Sequence, residues 1–471
     1  MNALSPEALR RGWCPSAFKP METGDGWLVR LHPPGAKLTA VQLIRIAGLA
    51  AQHGNGLIEI SARANLQIRG VKLETHPALV ATLLAERLVE EHDGDGPQRL
   101  TLIGPVVGAS RPCEERSDEA TQGGVERAAL DCFATLAKTA VNETGVCRTG
   151  IWPLIDVLSL ADAIEMRGRA ISGLPAKCLV IVDDGGPLSL DGFACDLHVM
   201  AVARETVAIG LPDGRWLGPV VTANTPERVA ELLSAFAAHR RRDPDTIRRL
   251  RDLPPTLLDE MIGATGLTPT TPPAARPAPR RAGRFVTAHG HAALIGLPFG
   301  RADADTLQRL GEAALRAGAS TVRLSPWRGL AFSGLQPAAA GPLLAVAAEL
   351  GLIVDPDDPR LSVEACAGKP ACLRANSNAM ADAVALAEAA APLLASGASI
   401  HVSACVKSCA HTGASGLTLV GREGGYDVIV AGTTRDKPIA TLDLPAILAR
   451  LRPGQDLFTR VSERGTMGPQ V

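Results

Sequence analysis

The chain has 471 residues, of which 46% are hydrophobic and 21% are charged, and its formal net charge is -1. This composition excludes disordered, collagen-like and coiled-coil proteins, and the balanced charge argues against non-specific binding to nucleic acid. At roughly 150 residues per domain, the length predicts about three domains.

The N-terminus is not expected to be an export signal, because Arg10 and Arg11 are not followed by an apolar run. The most apolar segment, 379–396, is interrupted by Asp382 and Glu388, so no membrane span is expected. We therefore predict a cytoplasmic protein. In a reducing compartment its ten cysteines point to metal or redox chemistry rather than to disulfides.

An internal repeat relates the two halves of the chain. Residues 26–70 align with 290–334 without a gap. Apolar periodicity predicts the same order of strand, helix, β pair and helix in each copy. These elements are Trp27–His32, 39–52, a pair broken at Ser61 and 77–90 in the first copy, and Ala292–Leu297, 303–316, a pair broken at Ser325 and 337–350 in the second. The order predicts an α+β fold with two pseudo-symmetric halves.

The region between the copies has a different pattern. Residues 174–210 alternate apolar and turn residues, which predicts a mainly β insertion, and a helix is expected at 226–240. Residues 267–283 are rich in proline and predict a semi-rigid linker. The segment 111–139 mixes charges without amphipathic order and is interpreted as a surface insertion.

Four cysteines form two pairs late in the chain. Cys366 and Cys372 are separated by five residues, and Cys405 and Cys409 by three. Four thiolates complete the coordination of a cubane iron–sulfur cluster or of a tetrahedral zinc. Structural zinc usually has two to four residues between paired ligands, so the wider first pair favours a cluster. Zinc and metal-free buried thiols remain alternatives. A helix predicted at 378–394 and a strand at 399–403 would bring the pairs together.

Basic residues follow the repeat. Alternation places Arg63, Asn65, Gln67 and Arg69 on one face of a predicted strand, where a solvated sheet face is the alternative to a binding surface. The corresponding turn of the second copy carries Arg328. Guanidinium groups at these positions would clamp carboxylates bidentately.

Together these features resemble the nitrite and sulfite reductase superfamily, and within it they are most similar to the precorrin-3B synthase family. The residues that carry the resemblance are the two half-domains, Arg63 to Gln67, Leu174-Pro-Ala-Lys177, the two cysteine pairs, Gly12-Trp-Cys14-Pro, Pro20 to Gly26, His53-Gly-Asn-Gly56 and Cys409-Ala-His411.

The resemblance implies an α+β fold of two ferredoxin-like half-domains with reductase-type α/β cluster-binding domains. Its parts would be a first half-domain at 12–92, an α+β domain at 93–266, the linker 267–283, a second half-domain at 284–355 and a cluster-binding domain at 356–455.

The resemblance also implies the site. A 4Fe-4S cluster would be bound by Cys366, Cys372, Cys405 and Cys409. The carboxylates of a tetrapyrrole would be bound by Arg63, Gln67, Arg99, Lys177 and Arg328. The reductases have a lysine where this chain has Leu179 and an asparagine where it has Leu100. Both differences weigh against sirohaem.

The implied activity is that of an O2-dependent monooxygenase that converts precorrin-3A to precorrin-3B by hydroxylation at C20 and lactone formation. The chain has no Gly-x-Gly-x-x-Gly fingerprint, so an external NADH-dependent reductase is expected to supply electrons. A mononuclear non-haem iron is implied as well, with His411 and His32 as candidate ligands, or as ordinary hydrogen-bonded histidines. The alternatives are a sirohaem-dependent nitrite or sulfite reductase and a non-catalytic iron–sulfur electron carrier or tetrapyrrole-binding protein.

Overall fold

The computed structural model describes residues 14–91, 96–109 and 154–451. The segment 111–139, interpreted above as an insertion, lies outside the described residues. The described residues form two compact units. The first contains 14–91, 281–283 and 293–451, and the second contains 96–109, 154–280 and 284–292. Helices and sheets occur in both, which confirms the predicted α+β class.

The first copy of the repeat begins the first unit. Its elements are β1 (Met21–Thr23), β2 (Gly26–Leu31), β3 (Lys37–Leu38), α1 (Ala40–His53), β4 (Leu57–Ile60), β5 (Leu66–Val71) and α2 (His76–Ala85). Helix α1 starts at Thr39, which forms a capping box with Gln42, and it buries a face that includes Leu43 and Ile46. The helix predicted at 77–90 is α2, which ends at Ala85, five residues earlier than predicted.

The second unit is built on one six-stranded sheet. Its elements are β6 (Thr101–Ile103), α3 (Val157–Arg169), β7 (Val180–Asp183), β8 (Leu197–Ala203), β9 (Thr206–Gly210), β10 (Trp216–Val221), α4 (Thr225–Arg242), α5 (Pro255–Thr265) and β11 (Pro269–Thr270). The order is β11-β10-β9-β8-β7-β6, parallel from β6 to β8 and antiparallel beyond. The β insertion and the helix predicted after it are confirmed, and part of the Pro-rich segment pairs with β10 as β11.

The second copy of the repeat has the same order as the first. Its elements are β12 (Gly283–Thr287), β13 (Gly290–Gly296), β14 (Arg301–Asp303), α6 (Ala304–Arg316), β15 (Thr321–Ser325), β16 (Gly329–Leu335) and α7 (Pro337–Glu349). The matched turn residues Ala64 and Arg328 both adopt the left-handed conformation, with φ of 51° and 59°. The predicted internal repeat is thus present in the backbone.

The two copies exchange edge strands. Strand β14 of the second copy pairs with β4 of the first, and β3 of the first pairs with β15 of the second. Helices α1 and α6 pack against each other, and Gly311 lies at their contact. Neither copy completes its own sheet, so the two form one body.

The last sheet completes the first unit. Its elements are β17 (Val363–Ala365), α8 (Ala379–Ala389), α9 (Ala391–Ala395), β18 (Ile400–Ser403), β19 (Ser415–Arg422), β20 (Gly425–Gly432), β21 (Ala440–Leu442) and α10 (Leu444–Arg450). The strand order follows the chain, parallel from β17 to β19 and antiparallel beyond. The hydroxyl of Tyr426 on β20 donates to the Asp382 carboxylate and ties α8 to the sheet. Among the described helices, none has both the length and the apolar character needed to cross a membrane.

The contact between α1 and α6 gives a first test. A Cβ on Gly311 would lie 2.6 Å from Cγ1 of Ile44, so Gly311→Val should lower the free energy of unfolding by about 1–3 kcal/mol through overpacking. Gly48 on α1 is exposed, and a Cβ there would meet nothing within 4 Å. Gly48→Ala is the matched control and should stabilise the protein by about 0.5–1 kcal/mol. Urea denaturation measures both; equal effects would contradict the packing.

Candidate functional site

The four paired cysteines lie on two loops at one edge of the last sheet. Strands β17 and β18 are parallel, with Ala365 opposite Val402. Cys366 follows β17 directly, and Cys405 follows β18 after one residue. The carboxyl ends of parallel strands meet at the same edge, which is where ligands bind in open sheets. The first cysteine loop (366–378) and the second cysteine loop (404–411) are therefore neighbours, as the sequence predicted.

Hydrogen bonds join the two loops. The amide of Ala404 donates to the Cys366 sulfur at 3.2 Å, and the amide of Asn376 donates to the Ala404 carbonyl at 2.9 Å. Within the first loop, Gly368 has a φ of 65°, and a Cβ there would come within 2.6 Å of the Ala379 amide nitrogen. That turn therefore requires glycine. The loops form one hydrogen-bonded surface.

The thiols influence one another electrostatically. Burial raises the pKa of Cys366 to about 11, and the nearby thiols of Cys409 and Cys405 add to the effect. Cys366 and Cys372 pack against the apolar core of the sheet, whereas Cys409 is exposed. A cation held between these sulfurs would relieve their mutual repulsion.

The spacing of the sulfurs bears on which metal they fit. In the described part of the chain, no three cysteine sulfurs lie within 4.8 Å of one another. A tetrahedral zinc with Zn–S bonds of about 2.3 Å would need its sulfurs about 3.8 Å apart. A cube of four irons and four sulfides holds its cysteine ligands farther apart. In the described residues, the sulfurs are therefore spread more widely than a single zinc would hold them.

Arg69 on β5 connects the first copy of the repeat to the first cysteine loop. Its guanidinium pairs with Asp25 through two hydrogen bonds of 2.9 and 2.7 Å, and it contacts Glu59 at 3.3 Å. Its Nη2 also donates to the Ala371 carbonyl, beside Cys372, at 2.8 Å. Burial acts to raise the pKa of Asp25 and of Glu59, but Arg69 at both carboxylates and Arg301 at Glu59 outweigh it and hold both pKa values below their usual range.

Gln67, predicted to bind substrate, forms hydrogen bonds within the same group of charged side chains. Its Oε1 accepts from Arg30 at 2.9 and 2.7 Å, and its Nε2 donates to Glu59 at 3.1 Å. Arg301 of the second copy pairs with the other oxygen of Glu59 at 2.5 Å. The amide of Gln67 therefore orients Arg30 and Glu59.

The predicted strand face that includes Arg63 is partly wrong. Arg63 and Asn65 lie in the turn before β5, because the chain reverses through the left-handed Ala64, and only Gln67 and Arg69 lie on the strand. Arg63 is half-buried and Asn65 is buried. Alternation in the sequence continues through a turn without marking it, so it extended the strand too far.

Arg328 supports the second cysteine loop. Its Nη2 donates to the Ala410 carbonyl, beside Cys409, at 2.6 Å and pairs with Glu364 of β17 at 2.7 Å. The Nη2 group of Arg328 is therefore bonded to other residues of the protein. A substrate contact by the rest of the guanidinium stays a prediction.

Arg99 and Lys177 lie together in the second unit. Arg99 precedes β6 and Lys177 precedes β7, and these parallel neighbours pair Thr101 with Val180. Both cations are therefore at the amino ends of adjacent strands. Leu100, directly after Arg99, and Leu179, two residues after Lys177, are buried, with 1% and 5% exposure, and their side chains supply no polar group at this edge.

In the described residues, the candidate ligands of a second iron do not belong to any group of three potential metal ligands. His411 follows the second cysteine pair. Its ring lies edge-on to that of His401, with the ring centroids 5.7 Å apart. His32 lies just after β2. Within the described ranges, three ligand atoms converge only at Asp183, Asp191 and His198 of the second unit. The roles of His411 and His32 therefore stay predictions.

Sequence reasoning missed the group around Asp183. Arg276, from the Pro-rich segment, pairs with Asp183 through two bonds of 2.7 Å and with Asp191 at 2.6 Å. Its guanidinium supplies the positive charge that these carboxylates need, so we assign the group a structural role. No local signal marks Arg276, since its partners lie far away along the chain.

Comparisons with known proteins agree with this architecture. Residues 19–86 and 287–350 match the family described as the nitrite/sulfite reductase ferredoxin-like half domain. The chain therefore contains two such half-domains, and the predicted fold class is confirmed.

A particular relative is a precorrin-3B synthase of Sinorhizobium sp., 29% identical to this chain over 96% of it and 90% of the relative. This confirms the predicted resemblance. The structure of the NirA protein of Mycobacterium tuberculosis matches 92% of this chain and 83% of its own with a TM-score of 0.67. At 16% identity that likeness shows the fold alone.

The Arg276 pairs give a second test. Burial acts to raise the pKa of Asp183, but Arg276 and His198 outweigh it and hold the pKa below its usual range. Arg276→Gln leaves a buried carboxylate without its cation and should lower the free energy of unfolding at pH 7 by about 3 kcal/mol. A carboxylate with a lowered pKa stabilises the fold above its unfolded pKa of about 3.9, and this is lost as the pH falls through the folded pKa.

Variant and wild type should therefore converge in acid, as urea denaturation at pH 7 and below pH 4 would measure. Arg215→Gln is the control, because Arg215 pairs with Asp213 and Asp259 at the surface of the same unit. Its effect should stay within about 1 kcal/mol. Equal effects of the two substitutions would contradict the assignment.

Proposed function

We propose that this chain is an O2-dependent monooxygenase that converts precorrin-3A to precorrin-3B. The observation that carries the proposal is the meeting of two cysteine pairs at the carboxyl edge of β17 and β18. It is supported by the two reductase-type half-domains and by a relative named precorrin-3B synthase that matches 96% of the chain. Fold alone does not define an activity, which depends on the residues of the site.

We propose that Cys366, Cys372, Cys405 and Cys409 hold a 4Fe-4S cluster. Soft thiolates select iron–sulfur clusters, and the five residues between Cys366 and Cys372 exceed the usual separation of paired zinc ligands. The buried Cys366 thiol would lose its proton on binding. When bound, the cluster supplies one-electron transfer.

The substrate would be held by cations of the chain. Precorrin-3A is a polycarboxylate, and each charge-assisted pair to an acetate or propionate would contribute about 1.5–3 kcal/mol if desolvated. Arg63, Arg99 and Lys177 are the proposed contacts. Gln67 has its amide bonded to Arg30 and Glu59, so we propose that it orients Arg30.

The proposed reaction balances with an external donor. One atom of O2 enters the hydroxyl group at C20, and the other leaves as water. Two electrons and two protons are consumed. The ring A acetate closes the lactone by adding across the carbon–carbon double bond next to C20, so this closure consumes that bond and needs no further oxidant. We propose that an NADH-dependent reductase supplies the electrons. A non-haem iron, if held by the candidate ligands His411 and His32, would supply the activation of O2.

Turnover tests the proposal. Protein purified without oxygen is mixed with precorrin-3A, an electron donor and isotopically labelled O2, and the product is analysed by mass spectrometry. Incorporation of one labelled oxygen atom is the expected result. Reduction of nitrite or sulfite with sirohaem absorption would instead establish the reductase alternative, which the buried Leu179 disfavours. Binding without turnover of either kind would leave a non-catalytic tetrapyrrole-binding protein.

Two substitutions should separate substrate binding from cluster binding. Arg63→Ala should weaken binding of precorrin-3A by about 10-fold or more, since it removes a charge-assisted pair, while iron and sulfide content stay unchanged. Cys405→Ser should remove the cluster. Arg45→Ala is the control, because Arg45 lies on the exposed side of α1 and pairs with Glu86. Loss of the cluster in Arg63→Ala with retained affinity would refute this division of roles.

A further inference from the structure

Two arginines, one from each half-domain, each donate a hydrogen bond to a backbone carbonyl beside a paired cysteine. Arg69 of the first half-domain donates to Ala371, the residue before Cys372. Arg328 of the second half-domain donates to Ala410, the residue after Cys409. Each cysteine loop therefore has one arginine anchor from outside its own sheet.

The anchor at Arg69 is rigid. Its side chain is 3% exposed and is fixed by Asp25 and Glu59. The Ala371 carbonyl also accepts from the Gly24 amide at 3.1 Å. A Cβ on Gly24 would come within 2.3 Å of the Pro370 oxygen, so the turn between β1 and β2 lies directly on the first cysteine loop. Two donors from one half-domain thus fix one carbonyl.

The anchor at Arg328 joins the second cysteine loop to strand β17. Its guanidinium pairs with Glu364, two residues before Cys366, while it holds Ala410 of the second loop. Its backbone is in the left-handed region, which non-glycine residues adopt only where the surroundings enforce it. Ala64, its match in the repeat, has the same left-handed backbone, so the shape of the turn between β15 and β16 belongs to the repeat and the arginine is particular to the second copy.

The two anchors are not copies of one another. In the repeat, Arg328 corresponds to Ala64 and Arg69 corresponds to Ser333. The duplicated fold supplies the same frame twice, and different positions of that frame carry the arginine. An anchor for each loop is thus a property of the site, and the repeat alone does not produce it.

We propose that Arg69 and Arg328 are positioning residues that hold the first and second cysteine loops, respectively, in the ligating arrangement before any cluster is bound. This inference rests on the proposed function, in which the four cysteines bind a cluster. The physical reason is preorganisation, because a loop ordered in advance does not lose conformational freedom when its ligands are engaged.

The test uses the metal-free full chain and its thiols. Arg69→Gln and Arg328→Gln are pulsed with iodoacetamide, and labelling of each cysteine is followed by peptide mass spectrometry. Loss of one anchoring hydrogen bond should speed labelling about tenfold at the partly buried cysteine of the anchored loop through local opening. The expected result is selective, with Cys372 faster in Arg69→Gln and Cys405 faster in Arg328→Gln, while the exposed Cys409 labels at the same rate in all variants. Each variant should also take up iron and sulfide more slowly than the wild type under anaerobic reconstitution.

Matched controls remove other ion pairs of the same unit. Arg301→Gln breaks the other pair to Glu59 without a bond to a cysteine loop, and Arg360→Gln breaks the pair to Asp358 before β17. Both should label like the wild type. If Arg69→Gln does not fold by circular dichroism, Arg69→Lys replaces it, since lysine keeps the charge and loses the forked contacts.

Equal acceleration of both cysteines in both variants would overturn the inference, since it would mean general loosening. Unchanged labelling in both, or acceleration of Cys372 in Arg301→Gln, would overturn it too. If the wild type takes up no iron and sulfide, the proposed function fails. The labelling pattern is read without metal, so it still decides whether the arginines anchor the loops.

Discussion

The parallel pairing of β17 with β18 is the constraint on which the candidate site depends. It puts the ends of two strands side by side, so Cys366 and Cys405 begin adjacent loops although they are far apart in the chain. The hydrogen bond from Ala404 to the Cys366 sulfur follows from that adjacency. Without this pairing, the two cysteine pairs would have no common edge, and neither a cluster nor a zinc ion would find four ligands.

The half-domains provide the frame around this edge. Because each sheet takes an edge strand from the other copy, the two copies cannot move independently, and the contact at Gly311 adds helix packing to the strand exchange. Arg69 and Arg328 then carry that rigidity to the cysteine loops. The charges are balanced locally, since Arg69 and Arg301 together face two carboxylates and Arg328 faces one.

Much of this organisation could be predicted from the sequence, and the remainder has physical reasons for being hidden. Apolar periodicity and matched glycines predicted the repeat, and the cysteine spacing predicted two pairs that the fold brings to one edge of the sheet. The turn at Ala64 was missed because alternation does not report a positive φ. The bond from Arg69 to Ala371 and the pairs of Arg276 join distant segments, so no local pattern marks them. Arg328 was singled out by its place in the repeat, but its hydrogen bond to Ala410 could be identified only from the structure.

The central claim is that the four cysteines at the edge of β17 and β18 hold a 4Fe-4S cluster. The most direct measurement is quantitation of iron and acid-labile sulfide in anaerobically purified protein, with an optical spectrum and low-temperature EPR before and after dithionite. The account predicts equal iron and sulfide in the cluster, a cubane EPR signal that appears on reduction, and no sirohaem bands. Zinc bound without sulfide, or no metal at all, would contradict it.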